Sequence, residues 1–286
     1  MSLNLRAGRP EDAETLGHIC YEAFKTIAEQ HNFPPDFPSP AVAVGMMTML
    51  LARPDVYSVV AEIDGRIAGS NFLWEGNQVS GVGPITIDPA VQNSSVGRAL
   101  MTDVIRRSDE KNFPSVRLLQ AAYHNRSLSL YTKLGFNSNE PISLMRADAP
   151  LNLKIEGYVV RPAIKEDVEA CNHLCRQVHG ITRAQDLLDG IGQGAALVVE
   201  HDGRITGYAS QLGFFGHAVA ETNEDLKAII GAAQEVHGPG FLLPTRNSEA
   251  MRWCLENNLR VVQPMTLMSR GMYQEPRGAF IPSVLF

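Results

Sequence analysis

The chain repeats itself. Setting RAGRPEDAETLGHIC, from Arg6, over RPAIKEDVEACNHLC, from Arg161, matches Arg6 with Arg161, Glu11-Asp12 with Glu166-Asp167, Glu14 with Glu169, His18 with His173 and Cys20 with Cys175. A second match, Asp64-Gly65-Arg66-Ile67-Ala68-Gly69 with Asp202-Gly203-Arg204-Ile205-Thr206-Gly207, follows in the same order but comes 17 residues sooner in the later copy. A duplicated order of elements confines the chain to two similar domains, and 286 residues are enough for two cores.

Each copy opens with a helix. Pro10 suits an early helical position, Glu11 and Asp12 suit the positive helix start, and Ala13, Leu16, Ile19, Cys20, Ala23 and Ile27 follow at spacings of three and four. The stretches YSVVAEIDGRIAGSNFLW and ALVVEHDGRITGYASQL then each place two β-rich runs around Asp-Gly, a strong hairpin signal. The first copy continues with a strand near Val82 to Ile87, a polar turn, a helix from about Val96 to Asn112, a strand at Val116 to Ala122, a short helix ending at Gly135 and a return strand from Phe136. Arg146 to Pro150 breaks the pattern, so the expected domains are 1–150 and 151–286.

Composition narrows the function. With 44% hydrophobic and 20% charged residues the chain reads as globular, and a net charge of −6 without a Lys/Arg cluster disfavours nucleic acid. No apolar run has the length of a signal peptide or a membrane span, so no membrane partner and a cytoplasmic location are expected. Cys20, Cys171, Cys175 and Cys254 form no C-x-x-C pair and read as reduced, buried thiols. The His18/Cys20 and His173/Cys175 pairs sit two apart on helices and face different ways, which makes a metal site unexpected.

The stretch PITIDPAVQNSSVGRALM, from Pro84, passes from strand to helix through a polar turn. A helix start leaves amide groups unpaired and carries partial positive charge, so Gln92, Asn93, Ser94, Ser95, Val96, Gly97 and Arg98 form a candidate cradle for phosphate oxygens. The same residues also suit a helix capped by Ser94 or Ser95. No Gly-Lys-Ser/Thr follows, and the three spaced glycines of a dinucleotide fingerprint are missing. The pattern resembles the acyl-CoA pyrophosphate loop of the GNAT acetyltransferase superfamily, Gln/Arg-x-x-Gly-x-Gly/Ala after a strand ending hydrophobic-x-Pro, with Ser95 at the first glycine position. Downstream, Asn125 to Phe136 is similar to that family's Asn-containing helix ending Leu-Tyr-x-x-x-Gly-Phe.

The resemblance implies two tandem GNAT-like α/β domains, each with a mixed, mainly antiparallel sheet flanked by helices. It implies acetyl-CoA as acyl donor and a small-molecule or peptide amine as acceptor, attacked directly without a covalent enzyme intermediate. Backbone groups of Ile85, Thr86 and Ile87 are expected along the pantetheine arm and at the developing oxyanion, with Asn125 and Ser127 farther along the arm. Tyr131 stands at the family's position for the acid that protonates the leaving thiolate. For the base, Glu75, Glu22 and a chain of waters all stay open.

The second copy departs at both landmarks. Thr222-Asn223-Glu224-Asp225 is a self-sufficient capping run whose carboxylates repel a pyrophosphate, and Cys254 aligns with Tyr131. The later copy is therefore expected to be degenerate. Residues 28–40, rich in proline, are the candidate acceptor-recognition loop through His31 and Asp36, or else a rigid connector, and the apolar tail from Ala279 is expected to dock on a domain or partner subunit. A homo-oligomer is compatible with the sequence. The rival to an N-acetyltransferase is a non-catalytic acyl-CoA sensor or interaction module. Polyamines, amino acids, peptide N-termini, lysine and aminoglycosides all suit such a scaffold as acceptors.

Overall fold

The computed structural model describes residues 2–91 and 95–285. They pack as two compact units, one running to Leu118 and including Tyr123–Phe136, the other made of Leu119–Ala122 and the chain from Asn137 onward.

The first unit contains β1 (Leu3–Ala7), α1 (Ala13–Gln30), α2 (Pro40–Ala52), β2 (Val56–Ile63), β3 (Arg66–Trp74), β4 (Ser80–Val82), β5 (Thr86–Ile87), α3 (Val96–Glu110), the start of β6 (Ser115–Ala121) and α4 (Asn125–Lys133). Strands β1 to β4 are antiparallel in order, and β4 lies parallel to β6 through Ser80↔Val116 and Gly81↔Arg117. Successive residues of a strand point to opposite faces, which sorts the helices. Phe72 packs with Leu16 and Cys20 of α1 and with Met47 and Leu50 of α2, whereas Asn71 donates to Leu100 O and lies 3.4 Å from Met101 Sδ in α3. The sheet is thus covered on both sides.

In the second unit, β8 (Val159–Pro162), α5 (Val168–His179), α6 (Ala184–Gly192), β9 (Leu197–His201), β10 (Arg204–Ala209), β11 (Ala218–Ala220) and α7 (Asn223–Ala232) repeat the order of the first. They are followed by β12 (Phe241–Pro244), α8 (Ser248–Glu256), β13 (Arg260–Gly271) and β14 (Ala279–Ile281). The order β14-β11-β10-β9-β8 forms one antiparallel sheet. The apolar tail therefore docks on β11, taking the edge that in the first unit belongs to β6.

Both hairpins form as the sequence implies. Asp64 and Gly65 have φ of 49° and 79°, Asp202 and Gly203 of 51° and 74°, the left-handed pair that a two-residue turn of this twist requires. The repeated Arg and Asp also have a shared purpose. Arg6 grips Asp12 at 2.7 Å and Glu62 at 2.6 Å, and Arg161 grips Asp167 at 2.7 Å and Glu200 at 2.7 Å. Asp12 further accepts the Arg9 N–H at 2.8 Å, and Asp167 the Ile164 N–H at 2.9 Å. Each carboxylate closes a short 3-10 turn before its helix, so Pro10–Asp12 precedes α1 and is not its first turn.

Two elements differ from expectation. Helix α2 is absent from the sequence reading because PAVAVGMMTMLLA is uncharged throughout and shows no polar face to mark a helical period. The second concerns the strand after Phe136. This strand, β7 (Asn137–Arg146), belongs to the second unit although it precedes the repeat boundary near 150, because it pairs on one side with β12 (Phe241↔Met145 to Pro244↔Ile142) and on the other with β13 (Arg260↔Arg146 to Ser269↔Asn137). The extra residues of the first copy lie in a longer α1, a longer following loop and a longer α2.

Arg6 and Arg161 hold Asp12 and Asp167 below the usual carboxylate range through their hydrogen bonds. The stability this contributes is complete above the unfolded value of about 3.9 and is lost as pH falls through the lower folded values. Urea unfolding of the wild type should therefore weaken steeply below about pH 4. Asp12→Asn combined with Asp167→Asn should cost about 3 kcal/mol or more at pH 7 and flatten that acid dependence; an unchanged pH profile in the double variant would remove the assignment.

Candidate active site

The site is built where a strand leaves its neighbour. Strand β3 pairs with β4 through Leu73↔Val82 and Trp74↔Gly81, then with β5 through Ser70↔Thr86 and Gly69↔Ile87, so one extra residue is accommodated between the two registers. Gly83 N–H donates to Phe72 O at 3.0 Å, Trp74 Nε1 donates to Gly83 O at 2.9 Å, and Pro84 has no N–H to continue the ladder. Beyond this bulge β5 pairs with β3 alone among the described residues. Asp88 N–H donates to Ala68 O at 2.9 Å, and alternation along an antiparallel ladder then turns the backbone groups of Ile85 and Ile87 away from β3. Gly69 is what lets β5 come this close: a β-carbon there would stand 2.3 Å from Thr86 O.

After β5, Asp88 closes the Pro89–Val91 turn by accepting the Ala90 N–H at 2.9 Å. Gln92, Asn93 and Ser94 lie outside the described residues. Ser95 has φ 65° and ψ 0°, a left-handed conformation, its side chain makes no capping bond to α3, and the first turn of α3 carries no acidic residue. The glycine usual at this position in the GNAT loop thus has a physical reason. Val96 and Gly97 are buried and Arg98 is exposed. The open side of Gly97 faces Ile87 Cδ1 at 2.8 Å and Leu130 Cδ2 at 3.5 Å from its would-be β-carbon, so β5, α3 and α4 converge there.

The remaining predicted residues lie on α4. Asn125 is exposed at its first position. The Ser127 hydroxyl donates to His124 O at 2.9 Å, and Ser127 N–H donates to His124 Nδ1 at 3.0 Å. Tyr131 is buried, its ring 6.1 Å from that of Phe136, and burial pushes its phenol well above the usual range. It therefore keeps its proton at physiological pH. Glu75 receives two hydrogen bonds from Arg107, at 2.7 and 3.0 Å, which commits that carboxylate to the sheet–α3 contact and makes it a poor base. All four cysteines are free and buried, and no group of three His, Cys, Asp or Glu among the described residues could hold a metal ion.

Sequence reasoning missed Tyr123 and His124. Tyr123 stacks on Phe33 at 4.4 Å and lies 5.2 Å from His31, which pins the proline-rich loop. Burial, then the Asp36 charge, raises its phenol well above the ordinary value. His124 caps α4 as a neutral ring, since burial and the nearby Arg126 lower its pKa and Nδ1 accepts a hydrogen bond. The only sequence signal was their position just before Asn125.

The second unit offers a contrast. Thr222 Oγ1 accepts the Asp225 N–H at 3.3 Å, while Asp225 accepts the Thr222 N–H at 3.0 Å and a hydrogen bond from Thr206, so the start of α7 is closed by its own side chains. A cleft of about 490 Å3 remains beside it, lined by Glu140, Glu221, Glu275, Arg246 and Phe280 among others. Its one arginine is taken by Glu140 and Glu275.

The acetyltransferase (GNAT) family matches over residues 21–136, from within α1 to the residue before β7. These residues are a GNAT domain. The strand–turn–helix junction and α4 both fall inside it. A solved protein from Pyrococcus horikoshii, 16% identical, superposes with a TM-score of 0.70 over 96% of this chain and 91% of its own. A GCN5-related N-acetyltransferase from Sphaerobacter thermophilus, also 16% identical, gives 0.63 over 96% of both chains. A tandem GNAT protein from the clavulanic acid biosynthesis pathway, 13% identical, gives 0.54 over 94% of this chain and 98% of that one. The two-copy GNAT-like fold thus extends over nearly the whole chain. No curated protein matches it by sequence.

Ser95→Gly removes the left-handed penalty and should raise stability by about 1 kcal/mol in thermal unfolding. Gly69→Ala should cost about 2 kcal/mol or more, because backbone and not a flexible side chain blocks the added methyl; a neutral result would mean that β5 is not held against β3.

Proposed function

We propose that the first domain transfers an acetyl group from acetyl-CoA to a primary amine, a small molecule or a peptide, and that the second copy is degenerate and structural or substrate-shaping. The observation that carries this reading is a start of α3 that Ser95 does not cap, behind a strand whose outer backbone groups have no strand partner among the described residues, in contrast to an α7 that caps itself. The donor set suits the cofactor: first-turn amides and an exposed arginine for a diphosphate, extended backbone for an amide-bearing arm.

Acetyl-CoA supplies an acyl carbon activated by a good thiolate leaving group. The protein supplies the rest. The first-turn amides of α3 and Arg98, with Gln92, Asn93, Ser94 and Ser95 leading into them, attract the diphosphate, and Ile85 and Ile87 offer backbone groups to the arm, an N–H among them to the thioester oxygen, whereas the backbone of Thr86, expected there too, faces β3 and holds the strand in place. Asn125 and the Ser127 oxygen extend the same wall. Tyr131 Oη holds a proton for the departing sulfur. Its burial makes that transfer more uphill than for an ordinary phenol and is the one observation favouring the non-catalytic alternative.

Calorimetry should find one equivalent of acetyl-CoA per chain, weakened about tenfold or more by Arg98→Glu, a change of roughly 1.4 kcal/mol. A second equivalent lost on mutation within 221–226 would overturn the division of labour. Tyr131→Phe should lower turnover about 100-fold while leaving acetyl-CoA affinity within about twofold. A panel of amines assayed by CoA release separates the readings, since tight cofactor binding without turnover of any amine supports the sensor.

A further inference from the structure

Two hydroxyls in the first domain are buried without a partner among the described residues. Ser70 on β3 and Thr86 on β5 stand directly opposite one another, are 0% and 3% exposed, and neither Ser70 Oγ nor Thr86 Oγ1 has a hydrogen-bond partner among the described residues. Opposed residues of an antiparallel pair project from the same face. That face is not the α3 face, because the adjacent Asn71 reaches Leu100 and Met101 of α3 and the adjacent Ile87 lies against Gly97. The hydroxyls instead share the side on which Phe72 packs with α1 and α2. Phe37 of the proline-rich loop joins the same cluster and meets Phe24 of α1 edge-on at 5.7 Å.

A hydroxyl removed from water without a partner destabilises the unliganded fold, and native chains retain few of them. Two facing each other across the strand that offers its backbone to the acyl donor mark a polar subsite. We infer that Ser70 and Thr86 are specificity residues that hydrogen-bond a polar group of the acceptor, on the face of β5 opposite the start of α3. This rests on the acetyl-transfer reading, in which the diphosphate lies at α3 and the amine approaches from the other side of β5. The acceptor class is then a primary amine with a hydroxyl or amide group close to the nitrogen, in preference to a plain alkylamine.

Two arms test it. Ethanolamine, glycinamide and propylamine are compared by CoA release. The wild type should favour the first two by about tenfold or more in kcat/KM, and Ser70→Ala should erase that preference mainly through KM, with acetyl-CoA affinity unchanged. Turnover without preference, or a preference that survives Ser70→Ala, overturns the subsite and leaves the transferase reading intact. Acetyl-CoA binding without turnover of these three or any wider panel of amines overturns both. The second arm needs no activity. Thr86→Val deletes an unpaired hydroxyl at constant shape, so the unliganded Tm should hold or rise; a fall of more than about 3 °C means the hydroxyl is already satisfied and overturns the inference.

Discussion

The first unit depends on one approach of backbone to backbone. Thr86 O sits where a β-carbon of residue 69 would have to be, so β5 can lie on β3 only beside a glycine. The extra residue between the β4 and β5 registers sets the direction that β5 then takes. Because β5 has no strand on its other side among the described residues, its outer backbone groups are left for something else. The start of α3, the convergence of Ile87, Gly97 and Leu130, and the opposed hydroxyls of Ser70 and Thr86 are all arranged around that one strand.

The same frame built twice has been finished in two ways. Arg6–Asp12–Glu62 and Arg161–Asp167–Glu200 tie strand, helix entry and hairpin together with nearly superimposable distances, so the shared residues serve the scaffold. Divergence sits where a ligand would be held. Where Ser95 makes no side-chain cap to α3, Thr222 and Asp225 close α7, and where β4 neighbours β6, β11 neighbours the tail strand β14. Three carboxylates line the remaining cleft of the second unit, and its one arginine is already paired with two of them.

Much of this was legible in sequence because it is local. Asp64-Gly65 and Asp202-Gly203 specify their turns by themselves, and the apolar spacing of α1 needs no outside information. Helix α2 was not legible, since a helix without a polar face gives no period to detect. Nor was the allegiance of β7, because its ten residues read as a strand with any partner and only non-local pairing chooses β12 and β13. In the site, the strand–turn–helix order could be read from Pro84 to Met101, whereas the orphaned state of Ser70 and Thr86 could not. A serine in a strand looks the same whether or not its hydroxyl finds a partner.

Strand β7 also has a bearing on how the two halves can change over time. Ile142 faces Met265 and Pro244, and Leu144 faces Leu242, so residues encoded in the first copy are judged by neighbours encoded in the second. A drift in size at one must be met by its opposite number across the duplication. A cut at the seam of the repeat would part β7 from β12 and β13 and leave a bare sheet edge on both pieces.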